Sequence, residues 1–206
     1  MDKVNRNDLQ QARLGYVYVS LAAILFAVSG TSAKYLFNDG VTAFQLIQMR
    51  TSLAFAGLLI WLSLKNPALL KIAPQNIAYF AGLGVFGIGS AQFFYLLAIS
   101  KINVAAAILL HYTGPVFVAL YVVLIQRHRL RFNSVLAIFG TLLGCYLVVG
   151  AYNLELFELN RAGIAAGLLA AVSFAVYSVS SEYGMRKYTP WTGLLYGMLF
   201  AALMWN

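Results

Sequence analysis

The chain has 206 residues, 62% of them hydrophobic and only 10% charged. A water-soluble domain carries roughly 25% charged residues, so this balance excludes an ordinary soluble fold and points to one embedded in lipid. The net charge of +8 invites a nucleic-acid reading, but its cations gather at the ends of apolar runs, where they set orientation in a bilayer and require no polyanionic partner.

Residues 1–14 mix Asp2 and Asp8 with Lys3, Arg6 and Arg13. The apolar run that follows is too long for a cleaved signal peptide, so these residues are expected to form a cytoplasmic N-terminal segment ahead of a retained helix. Runs of about 20 apolar residues, enough to cross a bilayer, lie near 15–37, 42–64, 75–98, 102–125, 133–151 and 162–184. A seventh, "PWTGLLYGMLFAALMWN", starts near residue 190 and reaches Asn206 with no closing loop, so the chain is expected to be truncated within its seventh helix. With the N-terminus inside, the inner segments hold Lys3, Arg6, Arg13, Lys65, Lys71, Arg127, Arg129, Arg131, Arg186 and Lys187, whereas the outer ones hold Lys34, Lys101 and Arg161. That asymmetry follows the positive-inside rule. The lone cysteine, Cys145, can form no intrachain disulfide.

The stretch "LAAILFAVSGTSAKY" at 21–35 returns as "LAAVSFAVYSVSSEY" at 169–183, matching at 8 of 15 positions. The register extends upstream, where Arg13 meets Arg161 and Gly15 meets Gly163. A repeat of this length contains five spans, and an odd number turns the second copy upside down in the membrane. Inverted repeats of this kind recur in secondary transporters, because two similar halves can exchange conformations around a shared site. The organisation expected is a first five-helix repeat over 15–151, an external linker over 152–161 and the start of an inverted second repeat over 162–206. Gly140 with Gly144, and Gly163 with Gly167, are spaced for close helix packing in lipid. The cluster Gly82, Gly84, Gly87 and Gly89 also lowers the stiffness of the third span.

Polar groups at depth mark candidate function. Arg50 lies about 12 Å below the outer edge of the hydrocarbon core and His111, entering from the same side, about 13 Å. Gln92 and Tyr95 in the third span, Tyr112 beside His111, and Tyr177 in the sixth reach the same zone. These six residues are the expected lining of a small-molecule cavity. Arg50 hints at an anionic group on the ligand and the aromatics at an apolar body. Arg50 could instead snorkel, and His111 could be a packing histidine. Pro115, in "HYTGPVF", has no N–H to give the His111 carbonyl, so a helix kink is expected there. Lys34 and its repeat partner Glu182 fall at opposite membrane faces, which excludes a salt bridge between them. They are candidates for two ends of a gate, against snorkelling for Lys34 and pairing with Arg186 for Glu182.

Catalytic motifs are missing. Two histidines and one cysteine, with no HExxH, Walker loop, GxSxG or CxxC, offer no credible nucleophile and base or metal set. No enzyme activity, cofactor or metal is expected.

The order of spans, the opening "LAAILFAVSGTSAKYLF", Arg50 in the second span, "INVAAAILLHYTGPVFVALYVVLI" in the fourth and the basic turn leading to "LAIFGTLLGCYLVVG" resemble the EamA family of the drug/metabolite transporter superfamily. The resemblance covers about 15–150 as one repeat and 163–206 as the start of another. It implies ten helices in two inverted five-helix repeats, and transport of small metabolites, often amino acids and commonly outward, across a bacterial inner membrane. Pro115 with Ala105, Ala106 and Ala107 resembles the family's fourth-helix pattern, and Arg50 its second-helix arginine. The family's glutamate after the fourth helix is replaced by His128, between Arg127 and Arg129. The first span has no carboxylate to carry a proton, which leaves coupling to His111, to further spans or to facilitated diffusion.

The expectation is an all-α polytopic membrane protein that transports small organic molecules by alternating access, with a small-molecule substrate, a lipid surround and no nucleic acid as partners. A homo-oligomer is possible but not required. The competing reading is a seven-helix receptor or scaffold.

Overall fold

The computed structural model describes residues 6–128, 130–149 and 160–206. The first five residues, Arg129 and the linker as far as residue 159 lie outside the described residues. All regular structure among the described residues is helical, as it must be where no water is present to satisfy the backbone.

Helices α1 (Arg6–Asn38) and α2 (Ala43–Lys65) form the first hairpin. Gly40 turns the chain between them with φ +89°, a left-handed conformation that side-chain-bearing residues avoid. Thr42 then opens α2 with a reciprocal cap. Its Oγ1 accepts from the Gln45 N–H at 3.2 Å, and the Gln45 side-chain oxygen accepts from the Thr42 N–H at 2.9 Å. Two short 3₁₀ turns, each begun by a proline (Pro67 and Pro74), lead to the third span.

That span is composite. Helix α3 (Ile77–Gly82) passes into a π-helical segment, Leu83–Gly89, and then into α4 (Ser90–Lys101). The wider π turn coincides with the glycine cluster, and Ser90 Oγ donates to the Val85 carbonyl at 2.7 Å inside it. Its glycines are consumed by packing. A Cβ on Gly84 would meet the Gly197 carbonyl and Phe200 at 2.6 Å, and one on Gly87 would press on Tyr177 at 3.2 Å. The expected loss of stiffness therefore takes the form of a tightly clasped segment.

The fourth span is broken, as Pro115 predicts, but the break lies just before the proline. Helix α5 (Val104–His111) ends in a turn at Tyr112 and Thr113, and α6 (Gly114–Leu124) restarts with Pro115 in its first turn, where a missing N–H costs nothing. Helices α7 (Phe132–Val149), α8 (Arg161–Met185) and α9 (Pro190–Trp205) complete the described fold. Asn103, Asn160 and Thr189 cap α5, α8 and α9 with side-chain oxygens. Among the described residues the helices match the seven predicted runs, and five of them, counting the composite third span and the broken fourth as one each, are long and apolar enough to cross a membrane.

Helix α8 is the central post, packing on α4, the π segment, α5 and α6. Gly163 and Gly167 make this possible, since a Cβ on them would fall 2.6 Å from Ile102 and 2.7 Å from Leu110. Gly140 and Gly144, the other pair expected, have no such neighbour among the described residues. Nothing among the described residues lies within 4 Å of a Cβ at either. Buried Tyr95, Ala98, Ile99, Ala106, Ala107, Ala166 and Ala170 form the main core, while Val19, Leu64, Leu124 and Phe139 point outward, the distribution a lipid surround requires.

Candidate functional site

Six elements border a half-open cavity of about 170 Å³. Helix α1 gives Phe26, the π segment Ile88, α4 gives Ala91, Gln92 and Tyr95, α5 His111, α8 Phe174 and Tyr177, and α9 Leu194 and Met198. The π segment and the break after His111 both border it, so both of these departures from regular helix lie at its walls. Larger grooves of about 400 Å³ occur on the outer surface, one between α6 and α8 along Phe117, Tyr121, Val172 and Val176.

The cavity wall is a chain of rings. Phe26 stacks on Tyr95 at 5.3 Å between centroids, Tyr95 lies 5.2 Å from His111, and Phe174 meets His111 edge-on at 5.2 Å. Phe174 continues to Tyr177 at 6.3 Å. Gly30 clears the space for the Tyr95 hydroxyl, which would lie 3.0 Å from a Cβ placed there. Tyr95 is only 2% exposed, yet its Oη has no hydrogen-bond partner among the described residues, and neither does His111 Nδ1. Buried polar groups are ordinarily satisfied, so these two atoms in one cavity wall are chemically incomplete.

Gln92, Tyr95, His111 and Tyr177 thus stand together as expected. Arg50 and Tyr112 do not line the cavity. Tyr112 falls in the turn that ends α5, is 41% exposed and keeps its ring 6.3 Å from His111. Arg50 projects from α2, which contributes nothing to the lining, although its Nη1 is also buried without a partner. Two positions away, Gln48 turns elsewhere and donates to Asn206 at 3.1 Å.

Lys34 neither snorkels nor meets Glu182. Its ammonium donates to the Ile99 carbonyl at 2.8 Å and the Ile102 carbonyl at 3.1 Å, capping the C-terminal end of α4 and tying α1 to the α4–α5 turn. Glu182 pairs instead with Arg186 at 3.8 Å on an exposed face of α8. The lining residues absent from the sequence expectation are apolar, chiefly Phe26 and Phe174. The signal for them was present, because they occupy the same position in the repeated stretch.

A profile of the EamA-like transporter family matches residues 13–150. The chain is 26% identical over 196 residues to an uncharacterized inner membrane transporter of Salmonella typhimurium, YicL, covering 91% of this chain and 65% of the relative. It is 29% identical over 194 residues to an uncharacterized transporter of Archaeoglobus fulgidus, covering 93% of this chain and 66% of the relative. A solved crystal structure shares the fold with a TM-score of 0.61 at 23% identity, over 86% of this chain and 61% of its own. The chain therefore spans just under two thirds of the length of these proteins. Its match across most of the helical run places it plainly: the chain belongs to the EamA-like transporter family.

Proposed function

We propose that the protein is a secondary transporter of small organic metabolites, amino acids or related compounds among them, and that the cavity is its substrate site. The observation that carries this reading is who builds the cavity. Phe26, Gln92, Tyr95 and His111 come from the stretch matched to the family, and Phe174, Tyr177, Leu194 and Met198 from the segment after residue 160. Phe26 and Phe174, aligned in the repeated sequence, flank the same His111 ring at 6.4 and 5.2 Å. Such an arrangement is what two inverted repeats sharing a central site would produce, and alternating access follows from their exchange of conformations. The transporter sits in a bacterial inner membrane with its N-terminus inside and exports its substrate.

The test is counterflow of radiolabelled metabolites, beginning with an amino-acid panel, in proteoliposomes containing the full-length protein. Saturable counterflow that a His111→Ala variant loses supports the proposal. Liposomes that exchange no solute faster than protein-free controls would refute it and favour the receptor or scaffold reading.

A further inference from the structure

We propose that Tyr177 is a gate. Together with Leu194 it divides the cavity from a second, smaller chamber, and turning its ring aside joins the two into one passage. The inference rests on the reading of the cavity as a transport site and names the residue that controls movement out of it. The second chamber, of about 50 Å³, lies between the third span, α8 and α9, and Tyr177 and Leu194 line it as well as the cavity.

Three elements set the two spaces in line. Along α8, Phe174 borders the cavity, Tyr177 both spaces, and Ser181 and Gly184 the second chamber, a spacing that keeps to one helix face. Antiparallel α9 gives the same order in reverse, with Pro190 on the second chamber, Leu194 on both and Met198 on the cavity. The third span agrees, since Leu83 borders the second chamber and Ala91 the cavity. The second chamber reaches the surface where α8 ends, beside Met185, which is 53% exposed. The passage therefore runs from the cavity toward the α8–α9 connection, with Tyr177 and Leu194 across it.

The walls of the second chamber are pinned, whereas Tyr177 is not. Tyr79 Oη donates to the Ser180 carbonyl, and Tyr188 Oη accepts from the Ala73 N–H at 3.2 Å. Tyr196 Oη and Thr192 Oγ1 donate to the Leu70 and Leu69 carbonyls at 2.6 and 2.9 Å. Tyr177 makes no hydrogen bond through its hydroxyl among the described residues, and its one aromatic contact there, with Phe174, spans 6.3 Å. Gly87 leaves room at its base, because a Cβ there would lie 3.2 Å from Tyr177 Cβ. Turning this side chain breaks none of those bonds, whereas parting the walls breaks several. The second chamber has room for water, but at 50 Å³ against 170 Å³ it admits a solute that fills the cavity only when the partition moves.

The experiment uses the full-length protein with its native cysteines replaced by serine. A Gln92→Cys substitution on the cavity wall is exposed to a charged, membrane-impermeant methanethiosulfonate in right-side-out and inside-out membrane vesicles. Lys187→Cys identifies the vesicles that present the α8–α9 connection to the reagent. From that side, Tyr177→Ala should speed modification at position 92 about tenfold, the rate equivalent of about 1.4 kcal/mol and near the upper worth of an aromatic contact. Tyr177→Phe should match the parent, since the ring and not the hydroxyl forms the partition. Leu194→Ala should act in the same direction as Tyr177→Ala, which keeps a second arm if one variant fails to fold. Modification of Ala170→Cys, at a fully buried core position, should stay unchanged, and this separates an opened partition from a loosened fold.

Unchanged modification in both Tyr177→Ala and Leu194→Ala would overturn the gate. So would an equal rise from the opposite side of the membrane, or an equal rise at Ala170→Cys. Counterflow of the amino-acid panel in the parent protein distinguishes the two readings. Absent counterflow with modification that depends on Tyr177 removes the transport proposal and leaves the divided passage standing. Counterflow with modification indifferent to Tyr177 and Leu194 removes the gate alone.

Discussion

Gly84→Ala should destabilise the protein although Gly82→Ala, two residues away, should not. The reason lies in what each methyl group would meet. At Gly84 the new Cβ falls 2.6 Å from the Gly197 carbonyl oxygen and from Phe200 Cβ, about 0.8 Å short of the 3.4 Å at which ordinary contact begins. The Gly197 oxygen and the Ala201 nitrogen, 3.2 Å away, are backbone atoms of α9, so no side-chain rotation relieves the clash. Either α9 moves or the π segment unwinds. Overpacking of this kind costs about 1–3 kcal/mol. At Gly82 nothing lies within 4 Å, and alanine is worth up to about 1 kcal/mol more than glycine within a helix. The helix gain is common to both substitutions, so they should separate by the overpacking cost, about 1–3 kcal/mol. Equilibrium unfolding of the full-length protein in mixed micelles, following helical circular dichroism as denaturing detergent increases, measures this difference. Equal stability of the two variants, or a more stable Gly84→Ala, would refute the packing of the π segment against α9.

Three further outcomes are expected. Lys34→Met removes the cap on the Ile99 and Ile102 carbonyls and should cost about 1.5–3 kcal/mol, with faster hydrogen exchange confined to the α4–α5 turn and the facing end of α1. Thr42→Ala breaks the reciprocal cap of α2 and should cost about 1 kcal/mol in the same unfolding assay. Pro115→Ala returns an N–H to the His111 carbonyl and should lengthen α5 into α6, raising stability while slowing counterflow. Normal counterflow in that variant would count against a role for the break in transport.

The spans were legible because bilayer thickness dictates their length. The run expected at 42–64 is helix Ala43–Lys65, and that at 162–184 is Arg161–Met185. Local anomalies were legible by place and not by form. Four glycines marked where the third span departs from α-helix, but whether they loosen it or let neighbours close in depends on α8 and α9, which local sequence does not position. Depth matching gathered Gln92, Tyr95, His111 and Tyr177, since residues at one height on packed helices tend to meet. Arg50 and Tyr112 lie outside this lining, because depth says nothing of rotation. Arg50 sits on a helix that does not wall the cavity, and Tyr112 falls in the turn that follows α5. Phe26 and Phe174 escaped notice because an aromatic residue facing lipid and one facing a cavity are identical in composition.

The aligned phenylalanines also bear on how the site could work. Helix α1 is almost wholly exposed along its span and touches chiefly α4 and α5, whereas α8 is gripped on several sides through Gly163 and Gly167. The two repeat-related helices thus present equivalent rings to His111 from unequal foundations, one held loosely and one held fast. Helix α1 is fastened near one end by Lys34 and at the cavity by the stacking of Phe26 on Tyr95. Among the described residues α1 is the cavity wall with the least buried surface. Moving it withdraws Phe26 from Tyr95 while Phe174 stays against His111.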